Sequence, residues 1–193
     1  MRGRPWGSRE WGRRRSSSPP GGEMDGGGTT VGRMMIRHAT LEDAPAIAAL
    51  EAECFPAAEA ATRADIEDRL RVYPDHFWLL FDGDELVSFV NGMVTDRPDL
   101  TDDMYEDASM HDGHGAWQMV FGVDTAPARQ GSGCASRTMR AAIDESRAAG
   151  RKGMVLTCKE RLIGFYERFG YVDEGVSSSE HGGVVWHQMR LTF

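Results

Sequence analysis

Residues 116–150, AWQMVFGVDTAPARQGSGCASRTMRAAIDESRAAG, carry the reading that decides the fold. The apolar run AWQMVFGV reads as a strand. A loop with two glycines and a basic residue follows. Beyond it, Ala135, Met139, Ala142, Ile143 and Ser146 recur at helical spacing on one face, and Gly150 stands where a helix-ending glycine belongs. Strand, glycine loop and helix in this order make a cradle for phosphate: glycines let the backbone approach an anion, and the first N–H groups of a helix point at it. The loop ARQGSGCA (128–135) fails two common nucleotide fingerprints. No Lys follows Gly133, as G-x-x-x-x-G-K-[ST] requires, and Gly131, Gly133 and Ser136 miss the third position of G-x-G-x-x-G/A.

Working outward, MIRHA (35–39) reads as a first strand, and Asp43 as the cap of a helix with Pro45 in its first turn. Ala44, Ile47, Ala48 and Leu50 share neighbouring turns of that helix, which ends near Cys54. After the loop FPAAEAA (55–61), a second helix is predicted from Thr62 to about Arg71. HFWLLF (76–81) and ELVSFVNGMV (85–94) meet at DGDE (82–85), a strong hairpin signal, and a long loop runs from Thr95 to Gly115. GMVLTC (153–158) is a strand and RLIGFYERFG (161–170) a short helix ended by Gly170; YVDEG (171–175) and GVVWHQMRLTF (183–193) are the last two strands. The order β-α-α-β-β-β-α-β-α-β-β is a mixed α/β sheet without the βαβ alternation of a dinucleotide domain.

The 193 residues suffice for one domain with a full core, and no apolar run is long enough for a membrane span. Cys54, Cys134 and Cys158 are too few and too scattered for a disulfide framework or a zinc site, so no metal is expected and a reducing, cytoplasmic setting fits. The net charge of −8 divides unevenly: residues 1–33 carry +4 and residues 34–193 carry −12. The first segment is rich in Gly, Ser, Pro and Arg without apolar periodicity, and reads as a disordered basic extension or as sequence upstream of a start at Met34 or Met35. The acidic domain that follows argues against nucleic acid and for a cationic small molecule. Asp96–Asp112 holds seven acidic residues against one Arg, a funnel for cations or simply a solvated loop.

Strand, glycine loop, helix, strand and then FYERFGY (165–171) resemble the acetyl-CoA-binding half of the GNAT acyltransferases. Their loop pattern is [RQ]-x-x-G-x-[GA]. Its small positions fall on Gly131 and Gly133 with Ala128 leading, while a register two residues later, Gln130–Gly133–Ala135, satisfies it fully. WLLFDGDELVSFVNG (78–92) and LTCKERLIGFYERFGYVDEGVSSSEHGGVVWHQM (156–189) are similar to arylalkylamine N-acetyltransferases and their bacterial relatives. The resemblance covers about residues 35–192. It implies a GNAT domain over 34–193: a mixed, mostly antiparallel twisted sheet of about seven strands, splayed at a central parallel pair and flanked by about four helices.

It further implies acetyl transfer from acetyl-CoA to a small primary amine by direct attack. By this analogy Phe121, Gly122 and Val123 pair with the pantetheine arm and polarise the thioester carbonyl, and Arg129, Gln130, Gly131, Ser132, Gly133 and Cys134 cradle the pyrophosphate. Tyr166 matches the family's general acid; a phenol stays protonated at neutral pH and can donate to a thiolate. Phe55 and Pro56 shape the acceptor slot, and Trp186 matches a pocket-lining aromatic. Where animal relatives carry two histidines for proton removal, this chain has Trp117 and Met119, which accept no proton. His181, in the polar SSSEHGG loop (177–183), and His187, alternating with Val185 and Met189, are substitutes by residue type only. Other acceptors (a polyamine, an amino acid, an aminoglycoside, a protein N-terminus) and a non-catalytic acyl-CoA sensor remain as alternatives.

Overall fold

A computed structural model describes residues 34–193; the predicted disordered extension, 1–33, lies outside the described residues. Among the described residues nine strands form: β1 (Met34–His38), β2 (Phe77–Asp82), β3 (Glu85–Asn91), β4 (Val94–Thr95), β5 (Trp117–Val120), β6 (Gly122–Thr125), β7 (Gly153–Cys158), β8 (Val172–Val176) and β9 (His187–Thr192). The five helices are α1 (Ala44–Cys54), α2 (Arg63–Val72), α3 (Asp103–Glu106), α4 (Cys134–Ala148) and α5 (Ile163–Glu167). The seven expected strands become nine because two of them break in the middle, ELVSFVNGMV into β3 and β4 and AWQMVFGV into β5 and β6. The extra helix is the short α3, inside the segment read as loop.

Both breaks lie at one level, and they divide the sheet. One part runs β1-β2-β3-β6, the other β4-β5-β7-β9-β8. Every pairing is antiparallel except β5 with β7, where Trp117–Val120 lie beside Gly153–Leu156. Beyond Val120 the chain leaves β7 and joins β3, with Gly122 opposite Asn91. Two backbone bonds of 2.8 Å bridge the break, Met119 N–H to Met93 O and Phe121 N–H to Asn91 O. Gly92 makes this crossing possible, since a Cβ there would stand 1.8 Å from the Met119 carbonyl oxygen.

Helices cover both faces. Ile47 and Leu50 of α1 and Ile66 and Leu70 of α2 pack with Phe77, Leu79, Phe89 and Met119. On the other side, Met139, Ala142 and Ile143 of α4 pack with Val90, Val120, Met154 and Leu156. Each of these side chains apart from Ala142 contributes about 1.5–3 kcal/mol when fully buried. The buried stripe of α4 includes Cys134 and Thr138 rather than the expected Ala135. The helix expected from Thr62 to about Arg71 forms as Arg63–Val72, with Thr62 as its N-cap and the Thr62 side chain accepting from Asp65 N–H. Asp43 stands at the α1 N-cap without a side-chain cap bond. Its carboxylate is held instead by the Arg37 fork at 2.7 Å on each oxygen and by Thr40 N–H at 2.8 Å. Among the described residues no helix is long and apolar enough to cross a membrane.

Candidate active site

The divided sheet leaves β6 at the edge of its own part, so one side of its backbone lacks a strand partner. Ala126 N–H bonds Val87 O, and by the two-residue period the Val123 N–H faces away from β3, toward the open side. The expectation that Phe121 also offers its amide is corrected: that N–H is held by Asn91 O.

A cleft of about 450 Å³ lies along this edge, lined by Val123, Thr125, Arg129, Gln130, Gly131, Gly133, Cys134, Leu162, Phe165 and Tyr166 among others. Gly131 and Gly133 take φ of 75° and 88°, and Gly133 is the N-cap of the 15-residue α4. The loop therefore delivers backbone N–H groups and the positive end of a helix dipole to the cleft, as an anion cradle requires. Two expected contributors act otherwise. Arg129, although part of the lining, carries its guanidinium onto Asp82 and Glu85, 2.9 Å from each, and braces the β2–β3 hairpin. Ser132 turns its hydroxyl onto the Arg129 carbonyl and is absent from the lining. Arg161 and Arg168, which sequence reasoning passed over, line the cleft and bring cationic side chains to it.

A second cavity, about 400 Å³, opens on the other side of the splayed strand. Phe121, Tyr105, His181 and Trp186 form an aromatic wall: Tyr105 is 4.9 Å from Phe121 and stacks on His181 at 4.7 Å, and the Trp186 indole N–H donates to His181 O at 2.7 Å. Arg69 lies over the Phe121 ring at 5.1 Å and donates to Tyr105 O at 2.8 Å. Glu51, Glu59, Asp65, Asp102, Glu106 and Glu180 supply acidity to the lining. The wall is tied together across the chain. Lys159 bonds both oxygens of the buried Glu59 carboxylate at 2.9 and 2.8 Å, His181 Nε2 lies 3.1 Å from Glu59 O, and Asp102 accepts from Ser179 and Glu180 N–H.

Phe55, Val123, Leu162 and Tyr166 line both cavities. Burial is the main cause that raises the Tyr166 phenol above its ordinary pKa, followed by the charges of Cys158 and Asp124, and no hydrogen bond contributes. The hydroxyl thus stays protonated, at the wall between the two spaces. Pro56 is exposed and lines neither cavity; its carbonyl accepts Glu59 and Ala60 N–H in a turn. His187 pairs with Asp173 at 3.2 Å, away from both cavities. Met119 is buried in the core, and Trp117 packs under Arg190 at 4.8 Å.

The largest omission of the sequence reading is a pair of acids. Glu51 is 6% exposed and Asp124 0%, and they flank Gly122. Burial raises the pKa of both. The Glu51 charge pushes Asp124 higher, while Ala61 N–H, Arg69 and His181 draw Glu51 back. Cys54, whose Sγ donates to Thr125 O at 3.4 Å, is pushed up to about 12 by burial and then by Asp124. The clue lay in α1: Glu51 is four residues after Ile47 and seven after Ala44, an acid on the apolar stripe. No group of residues able to hold a metal ion occurs among the described residues.

The model of the acetyltransferase (GNAT) family matches residues 44–171. None of the curated proteins matches the sequence. Among solved structures, the GphF GNAT-like decarboxylase in complex with isobutyryl-CoA is 22% identical, with a TM-score of 0.72 over 82% of this chain and 98% of that one. The loading GNATL domain of CurA from Lyngbya majuscula is 16% identical, TM-score 0.71, over 82% and 97%. The ribosomal-protein-S18-alanine N-acetyltransferase from Escherichia coli is 14% identical, TM-score 0.62, over 82% and 93%. At these identities the likeness is one of fold.

Proposed function

This chain belongs to the GNAT acetyltransferase family, and on that premise we propose that it moves an acetyl group from acetyl-CoA to the primary amine of a small, cationic, arylalkylamine-like acceptor. The observation that carries the reading is Tyr166 on the wall shared by two cavities, one with an anion cradle and one acidic and aromatic.

Acetyl-CoA, when bound, supplies an activated acetyl thioester. The residues present suit it: the unpaired edge of β6 matches an extended pantetheine arm, and Gly131, Gly133 and Cys134 offer N–H groups to the pyrophosphate, while those of Gln130 and Ser132 close turns onto Pro127 O and Arg129 O. Arg161 and Arg168 add cationic side chains for the remaining phosphate charge. Val123 N–H, aimed off the ladder, is placed to hydrogen-bond the thioester oxygen as negative charge grows there. In the other cavity the aromatic wall takes the apolar body of the acceptor, and the carboxylates attract its ammonium.

The amine nitrogen then forms a bond to the acetyl carbon while the carbon–sulfur bond breaks. Tyr166 O–H gives its proton to the departing sulfur, and the excess proton on the new amide nitrogen returns to the phenolate. No covalent enzyme intermediate is required; Cys54 and Cys158, each raised to about 12 mainly by burial, are poor nucleophiles.

One of the structural neighbours carries the name of other chemistry, a GNAT-like decarboxylase. The acids beside Gly122 favour transfer to a cation over handling of a carboxylated acyl group, which they repel when ionised. The test is thiol release from acetyl-CoA with a panel of phenethylamine, tryptamine, spermidine, amino acids and a peptide N-terminus. Acetylation is expected to be fastest with the arylalkylamines. Tight CoA binding with no amine raising thiol release above the buffer rate would show a sensor, not an enzyme.

A further inference from the structure

Three polar side chains converge where Gly122 has none. A Cβ at Gly122 would stand 2.9 Å from Asn91 Nδ2, 2.9 Å from Asp124 Oδ2 and 3.8 Å from Glu51 Oε2. Glu51 and Asn91 belong to the lining of the acceptor cavity; Asp124 sits behind them with no exposed surface. Neither Asp124 carboxyl oxygen nor Asn91 Oδ1 has a partner in hydrogen-bond geometry among the described residues; the Cys54 thiol, close enough to draw the Asp124 pKa down a little, donates to Thr125 O instead. Glu51 has one, Ala61 N–H to Oε1 at 3.1 Å, which leaves Oε2 turned toward Gly122. A buried carboxylate with both oxygens unpartnered is costly, and two carboxylates within a few ångströms do not both ionise readily.

From this convergence we infer that Glu51 and Asp124 form a carboxyl pair carrying one proton, held by Asp124, which leaves Glu51 ionised as the acceptor of the ammonium proton. The inference rests on the acetyltransfer reading above. The step is a single proton transfer: the acceptor's ammonium nitrogen loses one proton, a Glu51 carboxylate oxygen gains it, and the nitrogen keeps the lone pair that attacks. Glu51 afterwards releases the proton to water through the open mouth of the cavity. The pair thereby fills the role left vacant at Trp117 and Met119, from a different element. With the pair's one proton on Asp124, the buried Glu51 keeps its charge and is free to accept the ammonium proton. The charged and titratable groups facing the pair are Arg69 from α2, His181 from the β8–β9 loop, Cys54 from the end of α1, and Tyr166 from α5. Arg69 and His181 favour the ionised Glu51, so the surplus proton is expected on Asp124 at rest. Because the two sites interact, their titration belongs to the pair.

Two measurements test this. The first needs no turnover: carbon-13 titration of the side-chain carboxyls of Asp and Glu in the protein without substrate. The wild type is expected to show two linked steps, at least one above the ordinary carboxylate range, and Asp124→Asn should leave a single step for Glu51 at lower pH. Two independent titrations in the ordinary range would overturn the shared proton. The second is the pH profile of kcat/KM with an amine that the wild type acetylates. Glu51→Gln is expected to lower kcat by about 10²–10³-fold with acetyl-CoA affinity unchanged, and Glu51→Asp to recover part of the loss. Asp124→Asn, neutral like the protonated Asp124, should leave the acid limb in place while it removes the upper step of the carboxyl titration, a combination that a purely structural role would not give. Activity within twofold of wild type in Glu51→Gln, with the same acid limb, would overturn the base assignment. If the wild type acetylates no amine, the acetyltransfer reading fails and the catalytic role falls with it, while the titration still decides the shared proton.

Discussion

The crossing at Gly92 lends itself to a worked perturbation. An alanine Cβ there would lie 1.8 Å from Met119 O, 2.7 Å from Met119 C and 3.0 Å from Val120 Cα, all backbone atoms that no rotamer change can move. Reaching even the tightest tolerated contact with that oxygen, 3.0 Å, demands a displacement of about 1.2 Å. The bonds on either side, Met119 N–H to Met93 O and Phe121 N–H to Asn91 O, are 2.8 Å long, and such a shift along either one exceeds hydrogen-bond range. A buried backbone group left unpaired costs about 1–3 kcal/mol, and overpacking a further 1–3 kcal/mol. Gly92→Ala is therefore expected to destabilise by about 2–6 kcal/mol. Urea unfolding followed by circular dichroism reads this as a lower midpoint at unchanged slope. Gly164→Ala is the control. It lies in α5 with open space where its Cβ would stand, so it should be neutral or gain up to about 1 kcal/mol. The displaced Phe121 would also misalign the β6 edge, and an error of about 1 Å in placement costs on the order of 10²-fold in rate. If Gly92→Ala unfolds within about 1 kcal/mol of wild type, the close approach of the two chains is not what holds the sheet apart.

Tyr166→Phe keeps the ring and removes a hydroxyl that has no hydrogen bond acting on it; kcat is expected to drop about 10²–10⁴-fold, with acetyl-CoA affinity by calorimetry and the unfolding midpoint nearly unchanged. Unaltered turnover would take Tyr166 out of the acid role. Stability should respond to pH through Glu51 and Asp124. Their folded pKa values lie above the unfolded ones of about 4, so the stability they contribute is full below that pH and lost as pH rises through the folded values. Asp124→Asn should then gain on the wild type as pH rises from 5 to 8 in urea titrations, and parallel curves would contradict it. Lys159→Met leaves the buried Glu59 carboxylate without its ion pair, a loss of about 3–5 kcal/mol that detachment of the 55–62 loop can relieve. The acceptor KM should rise at least tenfold while acetyl-CoA binding holds; an unchanged KM would detach this pair from the acceptor cavity.

The elements carried by local signals were legible in the sequence. The β2–β3 hairpin, the glycine loop and α4 each rest on periodicity and turn chemistry within a few residues, and the structure has them where they were expected. What local signals miss is where a continuous apolar strand changes partner. AWQMVFGV has no breaker at Phe121; the break arises because Val120 still pairs with Leu156 while Gly122 pairs with Asn91. Side-chain destinations set by distant partners were equally hidden. Arg129 looked free for phosphate but meets Asp82 and Glu85, more than forty residues earlier. The acid Asp124 closes an apolar run, a position that ordinarily reads as a turn, and only the return of α1 beneath β6 brings Glu51 beside it.

The interleaving of the sheet also orders events during synthesis. The part β1-β2-β3-β6 can close once residue 125 has left the ribosome, but β7 has β5 on one side and β9 on the other, and β9 spans His187–Thr192. Until those last residues emerge, GMVLTC presents an apolar strand with one open edge, the kind of surface that recruits chaperones or neighbouring nascent chains. Removing β9 should thus harm the yield of soluble protein more than its distance from either cavity suggests.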